Sequence, residues 1–155
     1  MIGSFLVSDN DFIGEVAEMR IQEVCSALSD VLTDKTTVDH IFRRSGLFRL
    51  KKPNKVLEPV APHVSIDNDC SEHHTVIDVF AMDSPGLLYT LALVLFQHQM
   101  SVQLTRIATN VDQVVDVFYV VDQEGRKVTD GDRLHPLWQN MMEELQQLQD
   151  DWLRV

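Results

Sequence analysis

Residues His74 to Leu95, HTVIDVFAMDSPGLLYTLALVL, confine the chain to few folds, because an extended apolar run meets Asp83-Ser84-Pro85-Gly86 and turns directly into an apolar helix. Thr75 to Met82 carries Val76, Ile77, Val79, Phe80 and Ala81, the β-branched and aromatic enrichment of a strand with both faces at least partly covered. Ser84 is a favourable N-cap, and Pro85 suits a first helical position, where its missing N–H costs nothing. Leu87 to Phe96 leaves almost no polar face, which predicts a helix buried on more than one side. It is too short to cross a bilayer. Gly86 admits close approach of another group, and the N–H groups at this helix start favour an anion such as a carboxylate. The corner is therefore a binding feature rather than a catalytic one.

A chain of 155 residues, 45% hydrophobic, buries one core, so one domain or one and a part is expected. Its formal net charge of -11 argues against nucleic acid or an anionic membrane as partner, since phosphate binding needs clustered Lys and Arg. An acidic or zwitterionic ligand would need a locally positive corner. Cys25 and Cys70 have no metal-ligand spacing, and MIGSFLVSDND has neither a basic start nor a long apolar core, so reduced thiols and a cytoplasmic setting are expected.

Along the chain, Phe5 to Ser8 reads as a short strand. Ile21, Val24, Cys25, Leu28 and Leu32 then give the stripe of a helix ending near Asp34. Residues 35–62 read as a linker: Thr36 to Phe42 offers a short helix, Arg43, Arg44, Arg49, Lys51, Lys52 and Lys55 a solvated basic run, and Pro53, Pro59 and Pro62 break regular structure. Val64-Ser65-Ile66 is a further strand, and Asp67-Asn68-Asp69 a turn that lacks the glycine and terminal glutamate of a calcium loop. Past the central helix, Ser101 to Thr109 alternates, with Val102, Leu104 and Ala108 beside Arg106 on one face. Val114 to Val121 completes a hairpin, and Gln123-Glu124-Gly125 turns the chain. Leu134, Leu137, Trp138, Met141, Leu145, Leu148 and Trp152 then mark a long amphipathic helix.

Strand, helix, strand, strand, helix is the split βαβ order of a ferredoxin-like α+β sandwich without its last strand. Phe80, Phe118 and Val120 are expected on one face with Asp78 and Asp116, a mix too apolar to leave in water. An offset of 113 positions aligns Phe5-Leu6-Val7-Ser8-Asp9 with Phe118-Tyr119-Val120-Val121-Asp122 and pairs Ile21, Val24, Leu28 and Leu32 with Leu134, Leu137, Met141 and Leu145. That is an internal repeat with a truncated first unit. The expected division is 1–34 for this partial unit, 35–62 for the linker and 63–155 for the complete one. Whether Val64 to Ile66 closes the first unit or pairs in the second stays open.

These residues carry a resemblance. Asp83-Ser84-Pro85-Gly86-Leu87-Leu88, the hairpin, and the run from Asp116 to Val128 resemble an ACT domain, a small-ligand regulatory module. The Asp-Val-Phe-Tyr-Val strand with its Asp-x-x-Gly-x-Lys continuation is similar to the tandem ACT region at the C-terminus of the bifunctional uridylyltransferase/uridylyl-removing enzymes that act on the PII nitrogen-regulatory protein. The resemblance implies an amino-acid sensor, with glutamine as its first candidate ligand, seated where the helix start faces a neighbouring ACT unit. It implies ligand contacts at Asp83, Pro85, Gly86, Leu87, Leu88 and Ser101, and self-association through ACT units. Gln99 departs from the pattern, standing where a glycine usually ends the helix in a left-handed conformation.

The nucleotidyl-transfer and histidine-aspartate motifs of that family are absent from this sequence, so no catalysis, cofactor or metal is expected of the chain itself. His73 and His74 are adjacent, which is poor geometry for one ion, and Asp78 and Asp116 read as solvated or paired with Arg106. The alternative is a dimerisation module with no small-molecule ligand.

Overall fold

The computed structural model describes residues 18–38, 40, 41, 60–110 and 113–154. By contacts the chain divides into two compact units, Met1–Leu50 and Lys51–Val155. The strand expected over Phe5 to Ser8 and most of the linker lie outside the described residues.

In the first unit one helix, α1 (Glu18–Leu32), buries none of its residues. The stripe of Ile21, Val24, Leu28 and Leu32 is exposed. Asp34, at φ 54, closes the helix: its N–H reaches Val31 O at 3.1 Å and Lys35 N–H reaches Asp30 O at 2.9 Å, a Schellman end. Thr37 Oγ1 then accepts His40 N–H at 3.2 Å, capping the start of the expected short helix.

The second unit contains β1 (His63–Asp67), β2 (Thr75–Met82), α2 (Leu87–Gln97), β3 (Ser101–Asn110), β4 (Gln113–Val121) and α3 (Gly131–Arg154). The four strands form one antiparallel sheet in the order β1-β2-β4-β3. This is the ferredoxin-like sandwich, and its missing last strand is supplied from the front. β1 pairs with β2 from His63↔Phe80 to Asp67↔Val76, so it belongs to this unit's sheet. Trp138 of α3 fixes it by donating from Nε1 to Val64 O at 2.9 Å.

The core lies between the helices and one face of the sheet. Ile77, Val79 and Ala81 of β2 and Val114, Phe118 and Val120 of β4 meet Leu87, Leu91, Val94 and Leu95 of α2 and Leu137, Met141 and Leu145 of α3. The period of two therefore sends Phe80 and Asp78 to the opposite face from Phe118, Val120 and Asp116, correcting the single shared face expected from sequence. A bulge between Val102 and Leu104 breaks the alternation of β3. Val102 pairs with Val120 on the helix-covered face, while Leu104 and Arg106, opposite Tyr119 and Val117, lie on the other.

Among the described residues α2 is covered on one side only. Leu88, Leu93 and Phe96 are exposed, Phe96 at 76%, although the sequence predicts burial on more than one side. The helix ends on Gln99 at φ 58, with Gln99 N–H to Phe96 O and Met100 N–H to Leu95 O, both 2.9 Å. This second Schellman end also uses a non-glycine residue in the left-handed region. Gln99→Gly is expected to add about 1 kcal/mol, because glycine reaches this conformation without a Cβ penalty. The thermal midpoint should rise by roughly 4–8 °C for a domain of this size. An unchanged midpoint in an unfolding scan would contradict the conformation given to this residue.

Candidate functional site

The candidate site is the corner between β2 and α2. Leu87 N–H donates to Ser84 O at 3.1 Å, and Gly86 sits at φ 88, ψ -2. With Pro85 before it, this is a type II turn, whose third residue needs a positive φ and so favours glycine. Pro85 therefore precedes the helix instead of opening it, and Ser84 supplies a backbone carbonyl rather than a side-chain cap. A residue at φ 88 cannot belong to the helix, which is why α2 starts two positions later than the Ser84-Pro85 signal suggests.

The expected ligand contacts fall into two places. Asp83 is exposed, Pro85 and Gly86 half-buried, Leu87 buried in the core and Leu88 exposed, all at the end of the sheet where Met82 pairs with Gln113. Ser101 pairs with Val121, at the other end of the same ladder. The two ends are the first and last of the 9 residues of β4, roughly 27 Å apart at the usual rise of a strand. One chain thus brings together Asp83, Pro85, Gly86, Leu87 and Leu88, but not Ser101.

Asp116 lies near the same corner, and the sequence reading missed it there. It is 2% exposed on the helix-covered face, across the ladder from Val79 and Ile107. Its Oδ1 is buried with no hydrogen-bond partner among the described residues. Burial, and then the nearby Asp83 carboxylate, push its pKa up. The expected pairing with Arg106 is corrected: Arg106 lies on the opposite face, its guanidinium 5.7 Å from the centre of the Tyr119 ring. Asp78, also on that face, accepts a 3.4 Å hydrogen bond from Ser65 Oγ. The every-second-residue set Val114, Asp116, Phe118, Val120 was the signal available for finding Asp116 in the core.

The remaining buried acid has a different role. Asp122 Oδ1 accepts Arg126 N–H at 2.8 Å and Glu124 N–H at 3.0 Å, and Oδ2 accepts Arg126 Nε–H at 3.1 Å. The Arg126 backbone hydrogen bond foremost, helped by its side chain and charge, holds this carboxyl below the usual range against the opposing effect of burial. The hydrogen bonds of the Asp69 and Cys70 N–H groups do the same for Asp67. A depressed folded pKa contributes stability above the unfolded value, about 4, and that stability is lost as pH falls through the lower folded value. The melting temperature is therefore expected to fall below about pH 4, and Asp122→Asn should flatten this limb, as thermal scans across the acid range will show.

Among the described residues no cluster of His, Cys, Asp and Glu is arranged to hold a metal ion, and no helix is long and apolar enough to cross a membrane.

A four-stranded antiparallel sheet backed on one face by two helices, with a Pro-Gly turn feeding the first of them, is a ferredoxin-like α+β module. The chain belongs to the ACT-like domain family: residues 63–150 match the family described as "ACR9-like, ACT-like domain". It is similar to curated proteins named bifunctional uridylyltransferase/uridylyl-removing enzyme. That of Caulobacter vibrioides is 41% identical over 88 residues, which is 57% of this chain and 9% of the relative. That of Rhodospirillum rubrum is 35% identical over 72% of this chain and 12% of the relative. That of Pseudomonas aeruginosa is 33% identical over 92% of this chain and 15% of the relative. The chain thus spans about one-tenth to one-seventh of the length of these relatives, and what it holds is an ACT-like regulatory domain rather than the enzyme. No solved structure matches it significantly.

Proposed function

We propose that residues 63–155 sense a free amino acid, glutamine first among candidates, on behalf of a cytoplasmic uridylyltransferase/uridylyl-removing enzyme of nitrogen control, and that the module works by self-association. Residues 1–34 are then the C-terminal part of a preceding ACT-like unit and 35–62 the linker. The matching stripes of α1 and α3 support this, since the stripe that is core in α3 has no cover in α1 among the described residues.

The carrying observation is the Pro85-Gly86 turn into α2 at one end of a sheet whose edge strand, β3, is unpaired on its outer side among the described residues. Antiparallel pairing of β3 with the β3 of a second copy brings Ser101 of that copy to the end where this chain's turn lies. Only a second unit therefore unites the six expected contacts. Leu88, Leu93 and Phe96 of α2 and Val102 and Ile107 of β3 are exposed in the single chain and supply apolar surface for such a contact. The same surface favours the alternative, a dimerisation module with no ligand.

Calorimetric titration of the chain with glutamine, with glutamate and other amino acids as controls and with mass measured by light scattering, separates the two. Saturable glutamine binding to a dimer, weakened at least tenfold by Gly86→Val, is the expected result. A folded dimer that takes up no amino acid leaves only the dimerisation module.

A further inference from the structure

Asp116 is the one described carboxylate in this module whose surroundings give it no structural return. It is buried between Val79 and Ile107, one of its oxygens meets no donor, and no salt bridge reaches it among the described residues. A desolvated, unpaired acid opposes folding, and such groups in native proteins are commonly explained by what binds there. The strands beside it, the turn and α2 offer no cation, and among the described residues no salt bridge joins it to Arg133 or His135 of α3, which covers the same face. α2 has no charged side chain, the turn contributes only Asp83, Arg106 of β3 and Asp78 of β2 lie on the other sheet face, and β4 carries no basic residue.

Its position is as informative as its isolation. The layer of Val79, Asp116 and Ile107 is the second from the end of the sheet where β2 runs into the Asp83–Gly86 turn, beneath the start of α2. On its outer side that layer ends at Ile107, 55% exposed, so Asp116 lies one strand in from the β3 edge that a second copy would extend. The internal hydrogen bonding of α2 begins with Thr90 N–H to Gly86 O, and a helix start presents its first N–H groups to an anion. One end of the helix-covered face thus combines an anion-favouring helix start with a buried acid that lacks a counter-charge. Two acids at this corner, Asp83 and Asp116, disfavour a dianion such as phosphate and favour a zwitterion.

We infer that Asp116 is a ligand contact that receives the ammonium group of an α-amino acid whose carboxylate lies against the first turn of α2. This rests on the amino-acid-sensing reading and adds the group that distinguishes an amino acid from a plain carboxylic acid.

The test uses the full chain and two probes, L-glutamine and its des-amino analogue glutaramic acid, titrated into the wild type and Asp116→Asn. The expected result is at least a tenfold loss of glutamine affinity in the variant, with equal, weak affinity of both proteins for glutaramic acid. Melting curves should show the variant folded, since the substitution removes a buried charge. A second measurement needs no variant: wild-type glutamine affinity should fall as the pH is lowered through the acid range, as Asp116 takes up its proton. Glutamine affinity that ignores Asp116→Asn, or that is flat across this pH range should the variant not fold, overturns the assignment of Asp116 and leaves sensing intact. Failure of the folded wild-type dimer to bind any amino acid overturns both.

Discussion

Phe118→Ala is expected to cost about 3–5 kcal/mol, a large part of the roughly 5–15 kcal/mol that holds a domain of this size together. Phe118 is 2% exposed, lies opposite Ile77 on β2 and Thr105 on β3, and sits between the two helices and the sheet, so truncation opens a cavity that β-ladders on both sides prevent from collapsing. The midpoint of thermal unfolding should fall by more than roughly 10 °C. Phe80→Ala is the decisive control, because Phe80 is half-buried on the other face. Its cost should be well under half that of Phe118→Ala. Equal losses from the two variants would show that both phenylalanines share one core, against the observed register.

That contrast also locates where the sequence was readable. Thr75–Met82 was recoverable to the residue, because β-branched residues run unbroken up to a Pro-Gly turn, and the stripe of α3 was recoverable from its period. The left-handed end of α2 followed from a departure, Gln99 in a glycine position, and the structure gives it φ 58. What failed was facing. With apolar residues on both sides of β2 and β4, hydrophobicity alone does not say which side the helices cover, and Phe80 was grouped with Phe118. The bulge after Val102 leaves no compositional mark, so every residue before it was assigned to the wrong face. The Pro85 error has a local cause: Ser-Pro is a helix-start signature, and only the positive φ of Gly86 turns it into the middle of a type II turn.

Long-range pairing was similarly out of reach. The closing strand of the sandwich precedes the unit in the chain, and a five-residue segment after a proline-rich stretch gives no signal of its partner. For the same reason the candidate site was only half visible. Asp83, Pro85, Gly86, Leu87 and Leu88 are contiguous in sequence and stay together in space. Asp116 joins them through strand register alone, and Ser101 is carried away by the length of the sheet.

The same reasoning from position to contact gives the second large effect. Thr75→Val should cost about 2 kcal/mol although it preserves shape, because it leaves the buried Val128 N–H without its acceptor. Thr75 is fully buried at the start of β2. Its Oγ1 accepts Val128 N–H at 3.1 Å and lies 2.7 Å from Val128 O and 3.0 Å from Asn68 Oδ1, either of which takes its proton. Asn68 Nδ2 donates to Val128 O at 3.0 Å, and Lys127 Nζ donates to Asn68 O and, at 2.7 Å, to Ser71 O. One hydroxyl therefore joins the loop after β1 to the loop before α3. In the valine variant Val128 N–H loses its acceptor, while Val128 O keeps Asn68 Nδ2, so the loss is one buried group rather than two. Thr75→Ser keeps the hydroxyl and removes a single methyl, for about 1 kcal/mol or less. Chemical denaturation of the three proteins decides it. The order wild type, serine, valine is expected, and a valine variant as stable as the serine variant would mean that packing alone holds these loops. Because this hub stands at the Ser101 end of the sheet, Thr75→Val should leave the Pro85-Gly86 turn of its own chain in place and loosen only the end that a second copy would lend to the site.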